Sequence, residues 1–278
     1  MDKSKILKEA LDRIKIFFYL MKEGYKLKDK FIILEYHLRL PFQIFNYLIG
    51  KKNSRKLIGD VYIKNQYGLF FCGNNFSGVF GAGSFCEPEV RREFKIEDGI
   101  AFDVGANLGM FSIPLARALT GKGKVISIEA EKKNSELLLK NIKLNNLNNV
   151  SVVGKGAYSK KGKMTFYLDN IGTGGHSLMK GESAKKETIE VDTLDNIASE
   201  LKINNVSIIK IDIEGAEIEA LKAANGILSK NRPKIIFEAV DEKKLAEIEK
   251  FLSQYDYKIR KIGDWNYVAE MANRRKLK

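Results

Sequence analysis

The chain has 278 residues, 44% of them hydrophobic and 30% charged, and carries a formal net charge of +13. That balance fits a soluble, well-cored protein with room for one full domain and an appended element, and it excludes a disordered or fibrous chain. The longest purely apolar run, residues 16–21, falls far short of the roughly 20 residues that span a bilayer. MDKSKILKEALDR at the N-terminus lacks the apolar core of a secretory signal, so the expected location is the cytoplasm.

The basic excess sits at the two ends. Up to Asp60 there are 14 basic against 7 acidic residues, from Lys258 onward 7 against 2, and the stretch between is nearly neutral at 27 against 26. Ends of this kind suit an anionic partner, either nucleic acid or a lipid surface. Residues 1–60 mix aromatics, leucines and lysines at helical spacing and predict two or three amphipathic helices. This basic extension is expected to pack on the remaining domain, residues 61–278, as a lid or homodimer contact, or to rest on an anionic membrane surface at the inner membrane. Cys72 and Cys86 predict two free thiols, and neither they nor His37 and His176 show metal-ligand spacing; the carboxylates of Asp212, Glu214 and Glu238 suit a divalent ion, but nothing in their spacing demands one, so no metal site is expected.

From about residue 97 onward, short β-branched runs alternate with longer amphipathic ones. Strands are predicted over 100–104, 124–130, 150–153, 207–213 and 234–239, and helices over 110–119, 134–144, 216–228 and 242–255, with Asn134, Ser135 or Asp241 as caps. Such alternation predicts a doubly wound, mostly parallel α/β sheet. Between 150 and 207, MTFYLD and ETIEVDTL suggest extra β structure in place of a crossover helix, with Asp192 and Asp195 read as structural and Asp192 or Thr193 capping a short helix over 194–201. YKIRKI and WNYVAE flank Gly263-Asp264 and predict a closing antiparallel hairpin.

The strand ending in Asp103 runs into Gly105-Ala106-Asn107-Leu108-Gly109 and then a helix, which is the pattern of a nucleotide-binding turn. A dinucleotide fingerprint would place glycine at 107, where this chain has Asn, and the Walker pattern fails as well. A ligand without phosphates therefore fits better, with Glu129, ending the next strand, accepting hydrogen bonds from both hydroxyls of a ribose.

In this order and spacing, AFDVGANLGMFSIPLA, KVISIEAEKKNSELLLKNIKLNNLNNVSVVGKGAYSKKGKM, EVDTLDNI and IIKIDIEGAEIEALKAA resemble the FkbM family of S-adenosylmethionine-dependent methyltransferases, over residues 87–239. The resemblance implies a class I (Rossmann-like) methyltransferase fold, S-adenosylmethionine as cofactor, and O-methylation of a hydroxyl on a sugar, glycan or glycolipid. It places Asp103, Gly105, Ala106, Asn107 and Gly109 along the methionine part of the cofactor, Glu129 at the ribose, and Gly156 and Ala157 near adenine.

Strand alternation puts Lys210, Asp212 and Glu214 of KIDIEGAE on one side of the chain if the fourth strand extends that far. An aliphatic hydroxyl needs its proton taken as it attacks. Asp212 is the first candidate for that base, Glu214 the second, and Lys210 tunes them. His176 in the Gly-rich GTGGHSL loop is a further candidate base. Glu238 is a candidate either for facing the acceptor or for structural hydrogen bonding, and Glu87 for a contact with substrate or cofactor. The rival function is an RNA methyltransferase that holds nucleic acid with its basic ends.

Overall fold

The structure is a computed structural model and describes residues 3–48, 56–96, 98–119, 123–168, 185–213 and 215–271. The chain opens with three helices, α1 (Lys3–Glu23), α2 (Leu27–Leu38) and α3 (Leu40–Leu48), followed by the antiparallel strands β1 (Lys56–Asn65) and β2 (Gly68–Asn75) and the short helices α4 (Phe76–Ala82) and α5 (Pro88–Arg92). Ile32, Ile33 and Tyr36 recur at helical spacing on α2 and bury against β1. Asp29 fastens the two elements, accepting from the Lys26 backbone N–H at 2.7 Å with one oxygen and from that of Tyr62 at 3.0 Å with the other. Strand β1 runs through residue 60, the expected end of the helical extension.

The main domain continues with β3 (Ile100–Val104), α6 (Ser112–Ala118), β4 (Lys124–Ile128), α7 (Lys132–Leu144), β5 (Val150–Val153), β6 (Gly156–Ala157), β7 (Gly162–Leu168), β8 (Lys185–Asp192), α8 (Leu194–Glu200), β9 (Val206–Ile211), α9 (Glu217–Lys222), α10 (Asn225–Asn231), β10 (Lys234–Glu238), α11 (Glu242–Ser253), β11 (Tyr257–Lys261) and β12 (Asn266–Met271). Among the described residues, β11-β12-β10-β9-β3-β4-β5 form a seven-stranded sheet in which β12 alone runs against the other six strands. Strand order reverses between β3 and β9. In open α/β sheets that reversal opens a crevice at the carboxyl ends of the strands, where ligands bind. The extra β structure between 150 and 207 is a small sheet, β6-β8-β7.

Alternation along the strands divides the core. Phe102, Val104, Ile209 and Ile211 face α8 to α11, while Ala101 and Ile208 face the other side with Phe94, Phe111 and Leu115. A third cluster joins the N-terminal elements to the main domain, with Leu20, Ile33, Val61 and Phe70 packing against Leu108 and Ile113.

Three local expectations are corrected. Residues 216–228 are two helices, because the Asp195 carboxylate caps α10 by accepting from Gly226 N–H at 2.7 Å and Ile227 N–H at 2.9 Å. Strand β9 stops at Ile211, short of Asp212. Asn134 and Ser135 lie inside α7, whose N-cap is Glu131, whereas Asp241 and Thr193 do cap α11 and α8. The β1–β2 hairpin is an element that the sequence reading did not foresee.

Candidate active site

Sheet register builds the site. Asp103 on β3 stands beside Ser127 on β4 and beside Lys210 on β9, and Lys210 beside Ile236 on β10. Side chains at matched positions of neighbouring parallel strands share a face, so this row places a carboxylate and an ammonium side by side under the turn from Phe111 into α6. Asp103 is fully buried, and its Oδ2 accepts from Ser112 Oγ at 2.5 Å, while Ser127 Oγ donates to Ser112 Oγ at 2.8 Å. Its Oδ1 lies 3.9 Å from Lys210 Nζ and makes no hydrogen bond within the described residues. Burial pushes the Asp103 carboxyl above the usual range, against the pull of Lys210 and Ser112.

Lys210 is almost wholly buried, with its Nζ 3.0 Å from Asp212 Oδ2 and 4.1 Å from the centroid of the Phe111 ring. Burial pushes its ammonium down, but Asp212, Asp103 and Glu87 outweigh that and hold it above the ordinary lysine value. Asp212 itself is half-buried and reaches solvent. Glu87 sits at the N-cap of α5 in the left-handed region (φ 46°), with its Oε1 accepting from Asn266 Nδ2 at 3.2 Å. Burial raises its carboxyl and Lys210 lowers it. Lys210 thus has Asp212, the residue after β9, and Asp103 of β3 within 4 Å, and feels the charge of Glu87 from the segment before α5.

The glycine turn crosses this row. Gly105 (φ 82°) donates its N–H to Ile128 O at 2.9 Å, and a Cβ there would collide with the Asp212 carbonyl oxygen. Asp212 in turn donates its N–H to Val104 O at 3.0 Å, so the two loops lie against each other at the point where strand order reverses. Gly109 (φ 94°) packs so closely that an added Cβ would stand 2.8 Å from Leu138. Glu129, buried at the end of β4, accepts from Asn107 N–H at 2.7 Å and from Glu131 N–H at 2.8 Å. Burial lifts its carboxyl to about 7, against the opposing pull of those two bonds.

The structure therefore brings Asp103, Gly105, Ala106, Asn107, Gly109, Glu129, Lys210 and Asp212 together at and just after the carboxyl ends of β3, β4 and β9. Gly156 and Ala157 lie in β6, paired with Val191 and Asp192, and the Ala157 side chain is buried in the core. Glu238 ends β10 opposite Asn266. Glu214 and His176 lie outside the described residues. His37 packs between Phe17 and Phe76, with its Nδ1 2.7 Å from Ile33 O. Asp192 is structural: burial alone would raise its carboxyl, but hydrogen bonds from Lys155, Asn196 and the Thr193 backbone pull it down to about 2. Cys72 and Cys86 are free, and among the described residues no three His, Cys, Asp or Glu side chains group to hold a metal ion. Ser112, Ser127, Phe111 and Asn266 are site residues that sequence reasoning missed. Each is brought in by strand register or helix start, which a one-dimensional pattern does not carry.

No curated protein matches the chain. Solved structures similar to it include a methyltransferase FkbM from Methylobacillus flagellatus KT (21% identity over 69% of this chain and 53% of that one, TM-score 0.46). A putative transferase from Pyrococcus horikoshii (17% identity, 84% of each chain, TM-score 0.47) and M. jannaschii TYW2, solved with AdoMet (16% identity, 78% of this chain and 85% of that one, TM-score 0.41), are also similar. The chain spans about half the length of the Methylobacillus protein. The family model described as the methyltransferase FkbM domain matches residues 103–259, from the buried Asp103 to the first strand of the closing hairpin. That match covers more than half of the sequence, and the chain belongs to the FkbM methyltransferase family.

Proposed function

We propose that the acceptor of this S-adenosylmethionine-dependent methyltransferase is a hydroxyl of a sugar, glycan or glycolipid, and that Asp212 takes its proton. The observation that carries the reading is the half-buried Asp212 carboxylate held by Lys210 beside the glycine turn.

The residues of the crevice fit the cofactor. Asp103 Oδ1 is a buried carboxylate oxygen without a hydrogen bond in the described residues, which suits the ammonium of the methionine part. Gly105 and Gly109 hold the turn at positive φ, packed against the Asp212 carbonyl oxygen and Leu138, and so fix the course of the backbone over the strand ends. Glu129 offers two acceptor oxygens for the ribose hydroxyls. S-adenosylmethionine supplies a sulfonium methyl whose C–S bond breaks as the acceptor's O–C bond forms, with the electron pair staying on sulfur.

The chain's own work is positioning and proton removal. Asp212 accepts the hydroxyl proton as the ether bond forms. Lys210 aims Asp212 through the 3.0 Å contact of its Nζ with Oδ2, and Glu87 borders the acceptor side, anchored by Asn266. Asp103 is assigned to the cofactor side by its buried Oδ1, which has no hydrogen bond within the described residues. A hydroxyl suits this arrangement because it both donates to a carboxylate and attacks in line.

Transfer of labelled methyl from S-adenosylmethionine into cell extract, resolved into lipid-linked, free-glycan, RNA and protein fractions, tests the reading. Label is expected in the glycan or glycolipid fractions. Label in RNA would overturn it and make the basic ends the substrate surface.

A further inference from the structure

Helices α1 and α2 each bury one face and present an apolar stripe on the other. On α1, Leu20 is buried, whereas Leu11, Ile14 and Phe18, spaced i, i+3 and i+7, stand exposed. On α2, Ile32, Ile33 and Tyr36 face the core, whereas Leu27, Phe31 and Leu38, spaced i, i+4 and i+11, are 84%, 61% and 73% exposed. Single exposed apolar residues are ordinary, but two ordered stripes on helices that touch each other mark an interaction surface.

Charge selects the occupant. Exposed Lys15 and Lys22 follow Leu11 and Phe18 by one helical turn, and exposed Lys26 and Lys28 flank Leu27. A second copy of the chain would bring the same lysines against these, which opposes self-association through this face. A surface with anionic headgroups over an acyl layer satisfies both features: lysines meet phosphates, and the stripes enter the boundary beneath them. Among the described residues no helix is long and apolar enough to cross a membrane. We propose that the outer face of α1 and α2 docks the protein in the plane of an anionic lipid surface.

The surface is coupled to the site. Glu23, at the end of α1 and buried, accepts from Ser84 N–H at 3.0 Å and from Asn65 Nδ2 at 3.3 Å. It also accepts from the Ser84 hydroxyl. Ser84 lies three residues before Glu87, so the helix that meets lipid also braces the segment lining the crevice.

The test is co-sedimentation of the full chain with vesicles of equal parts phosphatidylglycerol and phosphatidylcholine, and with phosphatidylcholine alone, alongside light scattering for oligomeric state. Binding is expected to the anionic vesicles only. It should weaken about fivefold for each of Lys22→Gln and Lys28→Gln, and fall further at roughly 0.5 M salt, where screening is strong. Phe18→Glu with Phe31→Glu should abolish it while leaving the melting temperature unchanged, because both side chains are already in solvent. The proposal fails if the anionic vesicles do not bind, if neutral vesicles bind equally, or if the paired glutamates have no effect. It also fails if the wild type is a dimer that these glutamates dissociate, which would make a second copy the occupant.

Discussion

Gly105 and Asp212 are pressed together where the sheet reverses its strand order: the glycine has φ 82°, and the space a Cβ would need is filled by the Asp212 carbonyl oxygen. Gly105→Ala therefore meets two penalties, a left-handed backbone and a backbone clash. The first alone costs about 1–3 kcal/mol. Relief of the second has to move Asp212, so cofactor binding by calorimetry and turnover should both be lost. Gly154→Ala serves as the control, because nothing lies within 4 Å of a Cβ there, and its stability should stay within about 0.5 kcal/mol of wild type.

Replacing Lys210 tests the charge arrangement. Lys210→Met leaves Asp103 and Asp212 without their shared ammonium, and removing one partner of a buried charge set costs about 3–5 kcal/mol. Denaturant unfolding should show that loss. Asp212→Asn, at a half-exposed position, should keep the fold and lower kcat by about 10²-fold or more, with cofactor affinity little changed. Full turnover in Asp212→Asn would remove it as the base.

Glu129 gives cofactor binding a pH dependence with a definite sign. Its carboxyl is lifted to about 7 by burial, and ribose hydroxyls donate to the ionised form. Affinity for S-adenosylhomocysteine should fall about tenfold per pH unit below 7 and level off about a unit above it. Stability runs the other way: the raised carboxyl favours the folded state below its unfolded value of about 4.5, and that advantage is lost as pH rises through about 7. Glu129→Gln should flatten both profiles, as titration calorimetry and thermal melts across that range would show.

How much of this was legible in the sequence differs from element to element. The alternation of strands and helices after residue 97 follows from apolar periodicity, and the glycine turn after Asp103 is a local pattern, so both could be read directly. The β1–β2 hairpin turns at Gln66-Tyr67 without an Asn-Gly or Asp-Gly signature, which left its strands without punctuation. The break between α9 and α10 falls at Ala223 and Ala224, good helix formers, and is imposed by Asp195 from about thirty residues earlier. Lys210 could be picked out as a charge on a strand. Its neighbour Asp103, more than a hundred residues away, becomes visible only through register.

Asn141 and Asn145 fasten the N-terminal hairpin to α7 by imitating a strand. The Asn141 amide accepts from Phe71 N–H at 2.6 Å and donates to Phe71 O at 3.1 Å and Leu108 O at 2.9 Å. One helical turn on, Asn145 does the same with Leu69, at 2.9 and 2.7 Å. Asn141→Leu strands buried backbone groups and should cost about 2–4 kcal/mol in urea unfolding. Asn145→Leu, half-exposed, should cost less.

The position of β12 has a consequence for how the chain reaches this structure. Among the described strands β12 comes latest in the chain, yet it is an interior one, lying between β11 and β10. Until Met271 has left the ribosome, the apolar edge of β10, with Ile235, Ile236 and Phe237, has no partner on that side, and an unpaired edge of this kind invites pairing with another chain. Among the described residues, closure of the sheet between β10 and β11 thus waits for a strand that follows both of them in the chain.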